Sequence, residues 1–120
     1  MRALLSQGLS ELGLDVSRAE TLERFSSLLL EKNNVMNLTA ITDPEEAVIK
    51  HFVDSLSIVK VNGFDNVTSI IDVGTGAGFP GIPLKIVFPE IKITLLDSLN
   101  KRIKFLNAVI DELELENIKT

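Results

Sequence analysis

The chain is predicted to be an α/β protein, on three observations read along its 120 residues. After Asn62-Gly63, a turn signal, the apolar spacing changes from helical to short runs. The first of these runs, Ser69 to Val73, leads directly into Gly74-Thr75-Gly76-Ala77-Gly78-Phe79-Pro80-Gly81. Helix, strand, helix and the start of a further strand then follow in order, which is how a doubly wound parallel sheet with right-handed crossovers begins, a Rossmann-like arrangement.

Residues 1–66 read as a helical segment. Leu4, Leu5, Leu9 and Leu12 fit one face of a helix that Gly13 would stop. Ser17 and Glu20 have the spacing of a capping box, and Leu22, Phe25, Leu28 and Leu29 continue on one face behind it. Asn33-Asn34 marks the expected end of that helix, and Asn37 to Ile41 an irregular link. Asp43-Pro44 supplies a cap and a residue with helix-ready φ, so a third helix should begin there, burying Val48, Phe52, Val53, Leu56 and Val59.

Residues 67–120 read as the first part of the Rossmann-like domain. A helix should start near Ile82, with Pro83 tolerated in its first turn, and close at Pro89-Glu90. Ile91 to Leu96 forms a second strand ending in Asp97. Lys101 to Leu113 is the next helix, with Ile103, Leu106, Val109, Ile110 and Leu113 inward, and Asn117-Ile118 opens a third strand. Two complete strands are too few to close such a sheet, so the fold is expected to be truncated, with edges and apolar faces through which copies of the chain would self-associate.

Composition narrows the chemistry. A 45% hydrophobic chain is not expected to be disordered, and six Phe with no Trp or Tyr leave the core to Leu, Ile and Val. Without cysteine there are no disulfides, thiolate metal sites or cysteine nucleophiles, and His51 is the sole histidine, so no metal site is expected. The apolar stretch after Arg2 is too short for a secretory signal, and no run approaches a membrane span; a cytoplasmic protein is expected. The net charge of −5 opposes nonspecific attraction to a phosphate backbone, and the deficit lies mainly in residues 1–66, with six basic and ten acidic residues against six and seven after them.

The most specific feature is Asp72-Val73-Gly74-Thr75-Gly76-Ala77-Gly78. A strand turning tightly into a helix needs glycine where φ is positive or a ligand approaches the backbone. Gly76, Gly78 and Gly81 also fit the dinucleotide fingerprint, so the ligand has to be argued from charge. Dinucleotides bring a pyrophosphate dianion; S-adenosylmethionine brings an ammonium and a sulfonium, which the carboxylate of Asp72 suits better. Asp97, 23 residues after Gly74 at the end of the following strand, is placed to accept the hydroxyls of an adenosine ribose, a moiety common to both ligand classes. The bland alternative is that Asp72 and Asp97 simply cap turns. His51 and Asp54 share a helix face and read as packed or surface residues. Lys101, Arg102 and Lys104 read first as a solvated face, although a basic first turn opposes the helix dipole and hints at an outside phosphate partner.

Four runs together resemble the glucose-inhibited division protein B family: Asn37-Leu38-Thr39-Ala40, His51 to Leu56, Ile71 to Leu84, and Leu95 to Leu99 followed by Lys101-Arg102. The resemblance extends from about Leu22 onward, and the Gly78-Phe79-Pro80-Gly81-Ile82-Pro83 tail is more specific than the glycine triplet. It implies a bacterial S-adenosylmethionine-dependent methyltransferase that modifies guanine nitrogen 7 in small-subunit ribosomal RNA, with ribosomal RNA or the small subunit as partner. Gly74 and Phe79 match family positions that contact the cofactor, and Asp97 with Ser98 match the adenosine-side segment. Together with the glycine turn, the expected cofactor set is Asp72, Gly74, Thr75, Gly76, Gly78, Phe79, Asp97 and Ser98, with no catalytic residue named. Family members are about twice as long, so this chain is expected to be an inactive fragment whose substrate side lies beyond Thr120. The alternatives are a nucleotide- or dinucleotide-binding oxidoreductase fragment and a non-catalytic, self-associating RNA-related module.

Overall fold

The computed structural model describes residues 2–31 and 44–120. The predicted helix end at Asn33-Asn34, the Asn37 to Ile41 link and the Asp43 cap lie outside them.

Helix α1 (Arg2–Glu11) buries Leu5 and Leu9, while Leu4, expected on the same face, is exposed. The helix ends as its glycine predicts. Gly13 takes φ +72°, and the amides of Gly13 and Leu14 close back onto the carbonyls of Ser10 and Leu9. The next start departs from expectation. A 3-10 turn at Val16–Arg18 leads into α2 (Ala19–Glu31), and the capping carboxylate is Asp15, which accepts the Ser17 amide at 2.9 Å. Ser17 is therefore not the cap: an aspartate two residues earlier offers a stronger acceptor and starts the turn sooner. Helix α2 buries Leu22, Phe25, Ser26 and Leu29.

Helix α3 (Pro44–Leu56) begins on its proline and buries Val48, Phe52 and Leu56. Val53 turns outward, one position round from Phe52, and Val59 falls in a following 3-10 turn, Ser57–Lys60. Another 3-10 turn, Phe64–Asn66, precedes the sheet.

Three parallel strands, β1 (Ser69–Val73), β2 (Lys92–Leu96) and β3 (Ile118–Lys119), lie in the order β1-β2-β3. Helix α4 (Gly81–Val87) connects the first pair and α5 (Asn100–Glu112) the second. This is the beginning of a Rossmann-like α/β fold preceded by helices. Asp72 pairs with Leu95 and Val73 with Leu96, so the strands end level and their C-terminal ends form one rim. Alternation sends Ile93 and Leu95 into a core shared with Ile82 of α4, with Leu106 and Val109 of α5, and with Leu22, Phe25 and Phe52 of the helical segment. The opposite sheet face carries Ile71, Val73 and Leu96, which are 66%, 77% and 43% exposed.

Lys85 is unusual for a charged residue on a seven-residue helix. It is buried, and its ammonium donates to the carbonyls of Pro89 at 2.8 Å and Ile91 at 2.5 Å, tying the end of α4 to the start of β2. Burial lowers its pKa from 10.5, opposed by Glu90 and Glu116.

Candidate functional site

The glycine turn leaves β1 at the strand rim and enters α4. Its first amides, Gly74 and Thr75, both donate to the Leu96 carbonyl, at 2.8 and 3.0 Å, which pins the turn to the end of β2. Gly74, Gly76 and Gly78 all take positive φ, at 71°, 60° and 104°. Their surroundings differ. A Cβ on Gly74 or Gly76 would meet no protein atom within 4 Å, whereas one on Gly78 would strike Ile82 and Leu106, and one on Gly81 would strike Leu95 and Asp72. Gly74 and Gly76 thus border open space, and Gly78 and Gly81 are glycines because the core closes on them.

Asp72 sits beneath this turn. Its Oδ2 accepts the Thr75 hydroxyl at 2.6 Å and the Gly81 amide at 3.0 Å, so one buried carboxylate braces both the turn and the first residue of α4. Burial raises its pKa above 3.8, while the bonds from Thr75 and Gly81 oppose the rise. The sequence suggested this residue for its charge; the structure adds a bracing role that the spacing did not reveal, along with the part played by Thr75.

Asp97 stands on the other side of the turn. Oδ2 accepts the Gly76 amide at 2.9 Å, Oδ1 accepts the Leu99 amide at 3.0 Å, and Arg102 Nη1 lies 3.4 Å from Oδ2. The amides of Leu99 and then Gly76 hold its pKa below 3.8. Ser98, next in the chain, is exposed. The link from Asp97 to Gly76 could not be read from sequence, because it joins residues 21 apart through the register of β1 on β2.

Phe79 is half-buried and stacks into an aromatic group, with ring centroids 5.6 Å from both Phe25 and Phe52 and 5.4 Å from His51. The turn is therefore seated on α2 and α3. Lys101, Arg102 and Lys104 are exposed at the start of α5.

The backbone donors show which ligand the turn suits. Pyrophosphate sites use amides at a helix N-terminus. Here the Gly81 amide goes to Asp72, Ile82 to the Gly78 carbonyl and Leu84 to the Pro80 carbonyl, and Pro83 has none to give. Gly74, Thr75, Gly76, Gly78 and Phe79 likewise have their amides bonded within the protein, which leaves Ala77 as the one turn residue whose amide has no acceptor among the described residues. A phosphate would meet a carboxylate-capped helix with its donors spent. A ligand carrying a ribose diol and positive charge fits better beside Asp97 and the open side of Gly74 and Gly76.

A family model described as rRNA small subunit methyltransferase G matches residues 18–120. Proteins named ribosomal RNA small subunit methyltransferase G are similar throughout. The one from Lachnoclostridium phytofermentans is 54% identical over 114 residues, covering 93% of this chain and 47% of its own length. That from Alkaliphilus metalliredigens is 51% identical over 119 residues, covering 98% and 50%, and that from Caldanaerobacter subterraneus 54% identical over 118, covering 97% and 49%. The chain spans about half the length of these curated relatives. With a match of this extent and the parallel sheet and glycine turn in place, the chain belongs to the glucose-inhibited division protein B family, that of rRNA small subunit methyltransferase G.

Proposed function

We propose that this chain binds S-adenosylmethionine at the glycine turn and forms the cofactor-binding part of a cytoplasmic enzyme that methylates guanine nitrogen 7 of small-subunit ribosomal RNA. The observation that carries the reading is the pairing of a turn whose amides, Ala77's apart, are spent internally with a carboxylate, Asp97, at the adjacent strand end. That pairing favours a nucleoside without a phosphate over a dinucleotide. The relatives' printed names supply the reaction class and the ribosomal RNA.

S-adenosylmethionine, when bound, supplies a methyl group activated by its sulfonium. The chain's residues bind and orient it. Asp97 accepts ribose hydroxyls, with Ser98 at the adenosine side, and Gly74 and Gly76 let the ligand approach the backbone. Asp72, with Thr75, holds the turn and adds negative charge near the ligand's cations; Gly78 and Phe79 seat the turn on the core. Guanine nitrogen 7 has a lone pair and no proton to lose, so no residue has to act as a base, and positioning carries the reaction. Lys101, Arg102 and Lys104 offer phosphate contacts in a chain otherwise too acidic to attract RNA. Residues 1–66 serve as a helical support and residues 67–120 as the cofactor unit. The exposed Ile71, Val73 and Leu96 face gives the 120-residue chain a surface for a second copy, which sedimentation would detect.

Isothermal titration with S-adenosylmethionine, S-adenosylhomocysteine and NADH tests the cofactor. Heat with the first two and none with NADH is expected. Binding of NADH alone would overturn the reading in favour of an oxidoreductase, and binding of none would favour a non-catalytic module. Radiolabelled methyl transfer to small ribosomal subunits by the family-length enzyme tests the reaction.

A further inference from the structure

Asp97 carries more donors than a free ribose carboxylate would. A carboxylate has about four lone-pair positions. The Gly76 amide, the Leu99 amide and the Arg102 guanidinium already address this one, and its side chain is only 2% exposed. A ribose diol brings two more O–H donors, so something has to leave. The amides are fixed. Gly76 lies in the turn pinned to Leu96, and the Leu99 carbonyl anchors the first turn of α5 through the amides of Arg102 and Ile103. Arg102 is the group that can go. Its contact at 3.4 Å is long for a charge-assisted bond, and its side chain is 50% exposed on a flexible stem.

We propose that Arg102 is a specificity-determining residue that competes with the ligand's ribose diol for the carboxylate of Asp97. This rests on the cofactor reading above and deepens it. Arg102 sits with Lys101 and Lys104 at the positive end of the α5 dipole, where Asp97 is its one ion-pair partner among the described residues. The ion pair keeps the ribose seat covered until a ligand offers two hydroxyls in its place. The competition costs only ligands whose hydroxyls reach Asp97, so Arg102 sets, by lowering it, the margin by which an intact diol is favoured over a ribose without hydroxyls.

The test is titration of S-adenosylhomocysteine, which carries no sulfonium, and of its 2′,3′-dideoxy counterpart into the protein and its Arg102→Met, Asp97→Asn and doubly substituted variants. Arg102→Met should tighten S-adenosylhomocysteine by about two- to fivefold, the range of an exposed ion pair, and leave the dideoxy compound unchanged. The gain should vanish in the Asp97→Asn background. Added salt should strengthen binding to the unsubstituted protein and not to Arg102→Met, because it screens the competing pair. Arg102→Gln replaces Arg102→Met if circular dichroism shows that the methionine variant misfolds. Unchanged or weaker binding by the variants would overturn the proposal and make Arg102 a support for Asp97. If S-adenosylhomocysteine binds to none of the proteins, the cofactor reading fails and takes this inference with it.

Discussion

Replacing Asp72 by alanine removes the acceptor from two donors at once, the Thr75 hydroxyl at 2.6 Å and the Gly81 amide at 3.0 Å. Thr75 is 3% exposed and Gly81 is buried, so water cannot readily replace the lost partner. Loss of a helix-start acceptor costs about 0.5–2 kcal/mol, and a buried donor left without a partner about 1–3 kcal/mol. The two effects overlap at Gly81, so a loss of about 2–4 kcal/mol is expected, a large share of the roughly 6–18 kcal/mol typical for this length. Asp72→Asn keeps an oxygen where Oδ2 stands and should lose about 1 kcal/mol or less at neutral pH. The two variants also differ from the parent in pH response. Burial raises the Asp72 pKa, so between 3.8 and that raised value the folded chain binds more protons than the unfolded chain. The Asp72 contribution therefore falls as pH rises through this window, and the Asn variant lacks that fall. Urea unfolding followed by circular dichroism at pH 4, 5.5 and 7.5 measures both. Equal losses for Ala and Asn would refute the bracing role, and a parent-minus-Asn difference that grows in the parent's favour with rising pH would refute the assigned direction.

Gly76→Val should abolish S-adenosylmethionine binding while costing stability only through its positive φ, since no protein atom crowds that position; titration and urea unfolding separate the two. Gly78→Ala, by contrast, meets Ile82 at 2.6 Å and should lose about 1–3 kcal/mol of stability. Glu114 holds φ +53° in a cap whose amides close onto Asp111 and Ile110, so Glu114→Gly should stabilise the fold by about 0.5–1 kcal/mol in the same assay. Lys85→Ala should lose about 2–4 kcal/mol and Lys85→Met clearly less, because methionine refills the space and relieves the buried charge. As burial lowers the Lys85 pKa, the unfolded chain binds more protons between that value and 10.5, so the parent should gain stability on Lys85→Met as pH rises through that range.

What the sequence revealed depended on whether a residue type carries its own conformation. Ser69–Val73 was legible because a β-branched run ends on Gly74, and Gly13 and Pro44 announce helix ends through the dihedrals they permit. Glu114 performs the same task as Gly13, yet nothing in a glutamate signals a left-handed backbone. Ser17 misled because it fits a capping pattern that the stronger acceptor at Asp15 takes over. At the site, Asp72, Asp97 and the glycines stood out by spacing, whereas Arg102 on Asp97 and Phe79 on Phe25 depend on tertiary approach that no local pattern encodes.

The seating of Phe79 on Phe25 and Phe52 has a practical consequence for anyone reducing this chain to a minimal nucleoside binder. Cutting away residues 1–66 would keep every residue assigned to the ligand and still remove the floor on which their geometry stands. Conversely, a substitution at Phe25, remote from any ligand in sequence, would register in a screen as a defect in cofactor affinity. Mutational maps of this protein should show such buried helix positions losing stability and disturbing the glycine turn together.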